Sequence, residues 1–388
     1  MRVLFLTHSY PRYAGDASGS FIMRLAQALC MEGIEVHVVA PGANGLASTE
    51  EIEGIPVVRF RYAPRKYETL AYTGSMAEDV ASYWSARLAM LSFLGAGFTA
   101  AVRERRAFLP DIVHAHWWFP NGLIGTWVSA LAQIPLITTT HGTDIRMLRS
   151  APMARPIARR VLSQSATVTT VSHWLAGEEQ ALTHGATPIV APMPVATELF
   201  TPGGTRASDR ILFVGRLNDQ KGITYAIRAL ALMRNPATLD IVGTGPQQED
   251  CQALAHTLGI ANRVIFHGQV AQQDLVPMYR RAAAVVVPSV DEGLGLVSVE
   301  ALLCETPVVA FASGGTLDVV QQNSTGLLVP PRDVTALSHA LDEIMMNPTL
   351  ATNMGKAGRL YALATFAPES AARRYAGIYR DVLKHRAA

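Results

Sequence analysis

The run Glu292-Gly293-Leu294-Gly295-Leu296-Val297-Ser298-Val299-Glu300 sets two carboxylates, with seven residues between them, across a glycine turn that opens an apolar helical stretch at 297–304. Gly293 and Gly295 let the backbone approach a ligand closely, and the free amides at the start of the helix form a pocket for an anion such as a phosphate. Glu300 can accept hydrogen bonds from ribose hydroxyls, while Glu292, on the loop, reaches the other end of the same ligand. Together these residues describe a candidate nucleotide-sugar site. The alternative is a glycine loop followed by a solvent-facing helix glutamate. Residues 283–289 read as a short buried strand, which puts the motif at a strand's carboxyl end, where open α/β sheets bind ligands.

Other residues could serve the same chemistry. Arg216 and Lys221 straddle a turn after the strand at 211–214, and an arginine fork with a point-charge lysine suits a diphosphate. Lysine is scarce in this chain, so Lys221 beside Gly222 stands out from the prevailing arginine. Gly243-Thr244-Gly245 follows a strand but lacks the third glycine of a dinucleotide fingerprint, and reads as a tight turn lining the pocket. Gln269 and Val270 leave a strand where their backbone could read a base edge. Gly19 and Ser20 would open a helix with free amides. His114, His116 and His141 all follow or end buried strands. His141 with Asp144 could meet a sugar hydroxyl, and Trp117 and Trp118 could wall an acceptor, whereas His114 reads as a packing histidine. Two histidines at 114 and 116 lack a third ligand at a matching spacing, so no metal is expected. Arg146, Arg149, Arg155, Arg159 and Arg160 form an acid-free patch that suits an anionic headgroup or phosphorylated acceptor, or is simply a solvated helix face.

The elements that must position these residues alternate strand and helix. In the first half, strands are expected at 3–7, 36–40, 57–61, 112–115, 136–140, 167–171 and 189–191, separated by helices that include a long one within 78–106. After a proline- and glycine-rich stretch a second alternation starts at 210, with strands at 211–214, 239–242, 264–267, 285–288 and 308–311. Such alternation predicts parallel, doubly wound sheets. The boundaries read as a first α/β domain at 1–191, a linker at 192–208, a second domain at 209–365 and a closing helical segment at 366–388 that returns to the first domain. Two such halves predict a ligand cleft between them.

Bulk properties narrow the class. The 388 residues, 49% hydrophobic with a formal charge of +2, can bury two cores and carry no nucleic-acid footprint. Cys30, Cys251 and Cys304 are scattered without metal spacing, which fits reduced thiols in the cytoplasm. The stretch 84–102 is apolar enough to resemble a membrane span, but its polar interruptions and charged flanks favour a long, buried helix.

Taken together, these residues resemble glycosyltransferase family 4, the retaining enzymes of GT-B fold with two facing Rossmann-like domains. The resemblance spans nearly the whole chain and rests on Glu292 and Glu300, on Gly215-Arg216-Leu217 with Lys221-Gly222, on Thr140-His141-Gly142 and on the loop at Gly19. It implies that Arg216 and Lys221 bind a donor diphosphate and Glu300 the ribose. Glu292 would contact the transferred sugar, with the Gly293, Leu294, Gly295 and Leu296 amides beside sugar and phosphate. Gly19, Gly243 and Val270 would complete the donor side, and His141 would lie against the sugar, with His116 and Asp144 toward the acceptor. Two departures are visible: Pro192-Met193-Pro194 stands where the family commonly has an asparagine-glycine pair, and Gly19-Ser20 replaces paired glycines. The implied function is transfer of a hexose from a nucleoside diphosphate sugar, UDP before GDP, to a hydroxyl on a glycan, lipid-linked sugar or small metabolite. No cofactor is implied, and peripheral membrane contact is an additional expectation. The rivals are a nucleotide-sugar-binding protein without turnover and an epimerase or phosphorylase of the same fold.

Overall fold

The computed structural model describes residues 1–72 and 76–387. The chain folds as two compact units, one formed by Met1–Pro194 with Pro368–Ala388 and the other by Val195–Ala367. The stretch expected as a linker, 192–208, is folded onto the second unit from Val195 onward. Val195, Ala196 and Phe200 are buried there, the Val195 amide donates to Phe366 O at 3.0 Å, and the Ala207 amide donates to Arg281 O at 2.8 Å. Its prolines and glycines shape a bound strap instead of a free hinge.

In the first unit the strands are β1 (Arg2–Leu6), β2 (Glu35–Pro41), β3 (Thr49–Ile52), β4 (Ile55–Phe60), β5 (Ile112–His116), β6 (Leu136–Thr140), β7 (Thr167–Thr170) and β8 (Ile189–Val190). They pair in the order β3-β4-β2-β1-β5-β6-β7-β8, all parallel except the β3–β4 hairpin. The second unit has β9 (Arg210–Val214), β10 (Thr238–Val242), β11 (Val264–Gly268), β12 (Ala284–Val287), β13 (Val308–Phe311) and β14 (Gly326–Val329), in the order β11-β10-β9-β12-β13-β14 and all parallel. Strands such as β12 and β13 are buried along their whole length, because helices cover both sheet faces and leave no polar side. In each sheet the winding reverses at one place, between β1 and β5 and between β9 and β12, and there the carboxyl ends splay into a crevice.

Not every strand of the first unit is apolar. His114, Thr139, Thr169 and Thr170 are fully buried on β5, β6 and β7. The closing helix Pro368–Ala387 satisfies much of this polar seam. Tyr379 Oη lies 2.8 Å from His114 Nδ1, Thr139 Oγ1 lies 2.6 Å from His114 Nε2, and Tyr375 Oη donates to Ala191 O at 3.1 Å. His114 is therefore a packing histidine, and burial lowers its pKa to about 3, which keeps it neutral.

The long helix Trp84–Phe108 corrects an expectation. Its apolar composition predicts burial, yet only Met90, Phe93, Gly97, Ala101 and Phe108 of its residues are buried.

Candidate active site

The second unit's reversal point is built from the ends of β9 and β12. After β9 the chain turns through Gly215 and the exposed Arg216 to Asn218, whose side-chain oxygen accepts the Lys221 amide at 3.0 Å. Gly222 then takes a left-handed conformation (φ 66°) and opens the helix Ile223–Leu232. A Cβ there would collide with the Pro288 carbonyl, so glycine is what lets the lysine loop lie directly on the exit of β12. The Val290 amide donates to Gln220 O at 2.9 Å and ties the two loops together. The result is that Lys221 Nζ lies 2.5 Å from Glu292 Oε2, both side chains about four-fifths covered.

Glu292 is held in turn. Asp291 before it adopts φ 57°, an uncommon conformation for a residue with a Cβ, and its amide donates to Ser313 Oγ at 3.1 Å. The Gly315 amide donates to Glu292 O at 2.7 Å, and the Gly314-Gly315 pair packs so tightly on Glu292 and Gly293 that no Cβ would fit at either position. Gly295, again left-handed at φ 86°, starts the helix Leu296–Leu303 with no side-chain cap. The first amides, those of Leu296 and Val297, have no intrahelical acceptor, an arrangement that can hold an anion. Two buried hydroxyls, Ser298 Oγ and Thr316 Oγ1, flank Gly295 without a hydrogen-bond partner among the described residues.

One turn further along that helix sits Glu300. Its Oε2 accepts from Tyr279 Oη at 2.8 Å, and Gln272 Nε2 is 3.4 Å from Oε1. Tyr279 is fully buried and its pKa is pushed well above the ordinary value, by burial first and then by the adjacent Glu300, so it remains a donor. Gly243 lies in close approach to the β9 loop: a Cβ would run into Gly215 O, and its amide is committed to Gly268 O at 2.7 Å. Val270 lies half exposed beyond the end of β11.

At the first unit's reversal point the end of β5 delivers His116, and His141 follows β6, with His116 Nδ1 and His141 Nε2 3.1 Å apart. Trp117 packs between His8 and His141, at ring separations of 4.2 and 4.3 Å, in a backbone conformation rare for a bulky residue (φ 66°, ψ 133°). Burial drives the pKa values of His116 and His141 well below 6.5, with neighbouring histidines adding to the effect, and brings His8 to about 4. The cluster is therefore uncharged at neutral pH and offers hydrogen bonds without net charge. Gly19 begins the helix Ser20–Met31 against the loop after β1, where a Cβ would strike Ser9 O.

Two sequence expectations do not survive. Asp144 is buried, its Oδ1 accepting from the amides of His141, Gly142 and Ile145 and its Oδ2 from that of Trp118, so it braces the histidine loop and has no free edge for an acceptor. Trp118 is 1% exposed and donates Nε1 to Asp144 O, which leaves it no wall to offer. Conversely, Tyr279, Asn121 and Glu179 carry no local sequence signal. Asn121 Nδ2 lies 2.9 Å from both His8 Nδ1 and His116 O, and Glu179 Oε2 accepts from Thr140 Oγ1 at 2.7 Å. The Gly314-Gly315 pair after β13 was the one available hint of a further close approach.

Comparison with known proteins matches residues 199–361 to the family model Glycosyl transferases group 1 and residues 17–191 to Glycosyl transferase 4-like domain. The D-inositol 3-phosphate glycosyltransferase of Acidothermus cellulolyticus is 31% identical over 328 residues, covering 74% of this chain and 72% of that protein. The chain belongs to glycosyltransferase family 4. This family 4 chain is an enzyme, a hexosyltransferase that uses a sugar-nucleotide donor. Its GT-B fold is shared with sucrose-phosphate synthase of Thermosynechococcus elongatus (TM-score 0.79, 23% identity, 99% of each chain). HepE of Anabaena, solved with UDP-glucose, is similar at TM-score 0.72 and 19% identity over 98% of this chain and 100% of that one.

Proposed function

We propose that this glycosyltransferase transfers a hexose from UDP-hexose to an acceptor hydroxyl with retention of anomeric configuration. The observation that carries the reading is the Lys221–Glu292 pair beside the uncapped helix start at Gly295, with Arg216 exposed nearby. In the structure the two charges neutralise each other. An arriving diphosphate takes Lys221, Arg216 and the Leu296 and Val297 amides, and frees Glu292 to accept from the sugar's hydroxyls. Glu300 reads the ribose diol. Stabilising charge on the departing diphosphate with fixed donors is worth several kcal/mol of barrier, and this cationic set does so without a metal or cofactor.

The acceptor oxygen attacks the anomeric carbon on the face the diphosphate leaves. The bond from that carbon to the phosphate oxygen breaks, and the acceptor's proton passes to the leaving phosphate. His141, held neutral, contributes a hydrogen bond to a sugar hydroxyl and no charge. UDP is favoured because HepE, of the same fold, was solved with UDP-glucose. The acceptor is a hydroxyl of a glycan, lipid-linked sugar or small metabolite, and the reaction is cytoplasmic.

The test combines thermal shift with product analysis. UDP should raise the melting temperature more than GDP or ADP, and an α-linked UDP-hexose should give an α-linked product by proton NMR coupling. A β-linked product overturns retention, and a shift with GDP or ADP alone overturns the base.

A further inference from the structure

The helix Trp84–Phe108 leaves an apolar face uncovered along its first half, and further along the same line Phe98 and Val102 are half-buried against the first unit's core. Trp84 is 73% exposed, Leu88 54% and Leu91 66%, and at spacings of three and four residues they share one stripe with Gly95, Phe98, Val102 and Arg106. The neighbouring helix Leu123–Ala132 extends the patch with Trp127 and Leu131, 40% and 63% exposed, and the Phe98 and Trp127 rings meet edge to face at 6.0 Å. Where the stripe ends, Phe98, Thr99, Val102, Arg103, Arg106 and Ala107 line a shallow open depression. Monomeric proteins rarely expose a joined patch of this kind without a partner for it.

Charge says what the partner is. The long helix carries four arginines and one carboxylate, Glu104, and the shorter helix carries no charge at all. Glu104 is already engaged, 2.6 Å from His37 Nδ1. Among the described residues of these two helices no carboxylate is left to face a cation. A second copy of this chain docked by the same face would set arginine against arginine. A transmembrane arrangement fails as well, because Met90, Phe93, Ala101 and Phe108 are locked in the protein core on the opposite side of the helix. An anionic bilayer surface satisfies both halves of the pattern: tryptophans and leucines enter the headgroup boundary while arginines meet lipid phosphates.

We propose that the face formed by Trp84, Leu88, Leu91, Trp127 and Leu131, rimmed by Arg103 and Arg106, seats the first unit on an anionic lipid surface. This face is distinct from the Arg146–Arg160 patch and independent of the donor chemistry.

Vesicle co-sedimentation with the full chain tests it. The protein should partition onto phosphatidylglycerol/phosphatidylcholine vesicles and far less onto pure phosphatidylcholine. Each arginine near such a surface is worth about fivefold in partitioning, so Arg103→Gln/Arg106→Gln should weaken binding on the order of 25-fold. Trp84→Ser/Leu88→Gln/Leu91→Gln should abolish it with the melting temperature retained, since these side chains point to solvent. Equal binding to both vesicle types, binding to neither, or binding unchanged in both variants overturns the proposal. So does a dimer in light scattering that the triple variant dissociates, which would assign the face to a second copy.

Discussion

Replacing Tyr279 by phenylalanine removes one oxygen atom from the second unit's core and leaves the ring where it is. That oxygen donates to Glu300 Oε2 at 2.8 Å from a fully buried position, so water cannot take its place. A hydrogen bond to a charged acceptor is worth about 1.5–3 kcal/mol, equivalent to roughly 10- to 150-fold in an equilibrium constant. Gln272, 3.4 Å from the other carboxylate oxygen, retains part of the orientation and moves the expectation to the low end, about tenfold. If Glu300 reads the ribose, the loss appears in ground state and transition state alike. The donor Kd and KM then rise about tenfold while kcat at saturation stays. Isothermal titration with UDP and with 2′,3′-dideoxy-UDP separates this from a general loosening. The phenylalanine variant should bind UDP about tenfold more weakly than the wild type but match it for the dideoxy nucleotide, which has no diol to read. An equal loss with both nucleotides would refute the assignment of Glu300, and an unchanged UDP affinity would refute the role of Tyr279.

Two further outcomes follow from burial and backbone. Glu179 is 2% exposed and burial raises its pKa from 4.5 to about 8, so in the fold it holds a proton that the unfolded chain releases above 4.5. Stability is therefore lost as pH rises from about 4.5 to about 8, and Glu179→Gln, which keeps the acceptor for Thr140 Oγ1, should unfold at the wild-type temperature near pH 4 and at a higher one at pH 8; a difference that does not grow with pH would contradict it. Gly222→Ala must fit a Cβ against the Pro288 carbonyl at φ 66°, whereas Gly33→Ala, at φ 75°, meets nothing within 4 Å. Both bear the left-handed penalty of about 1–2 kcal/mol, but only the first should displace the Lys221 loop. Urea denaturation and donor titration should show comparable, modest effects on binding only if the close approach at Gly222 is not real.

Much of the scaffold could be read from residue types. Apolar runs such as Val285-Val286-Val287, bounded by turn residues, mark fully buried parallel strands, and the glycine-hinged loop after that run marks its ligand-facing end. β3 escaped because Thr49-Glu50-Glu51-Ile52 is an edge strand whose polar side chains face water, the composition that otherwise marks a loop. β14 is four residues beginning with glycine, too short to show a period. The exposure of the Trp84–Phe108 helix is not legible in the sequence for a different reason: hydropathy reports what a helix tolerates, whereas burial depends on what the rest of the chain places beside it. The same holds at the site. Both carboxylates of the motif were visible, but the pairing of Glu292 with Lys221 across 71 positions, and of Glu300 with Tyr279, exists only once β9, β12 and their helices are assembled. Asp144 shows the converse, since an acid three residues from a histidine looks like chemistry until the backbone amides that surround it are in place.

The return of the helix Pro368–Ala387 to the first unit has a consequence for the order of events during synthesis. Chains emerge amino terminus first and domains fold as units, yet the Tyr379 hydroxyl that completes His114 is made 265 residues after it. All of Val195–Ala367 leaves the ribosome in between. The second unit, continuous in sequence, can reach its final packing while the first still lacks its covering helix and exposes the buried threonine and histidine seam. The nascent chain thus passes through a stage in which its earliest-made half is the last to be finished.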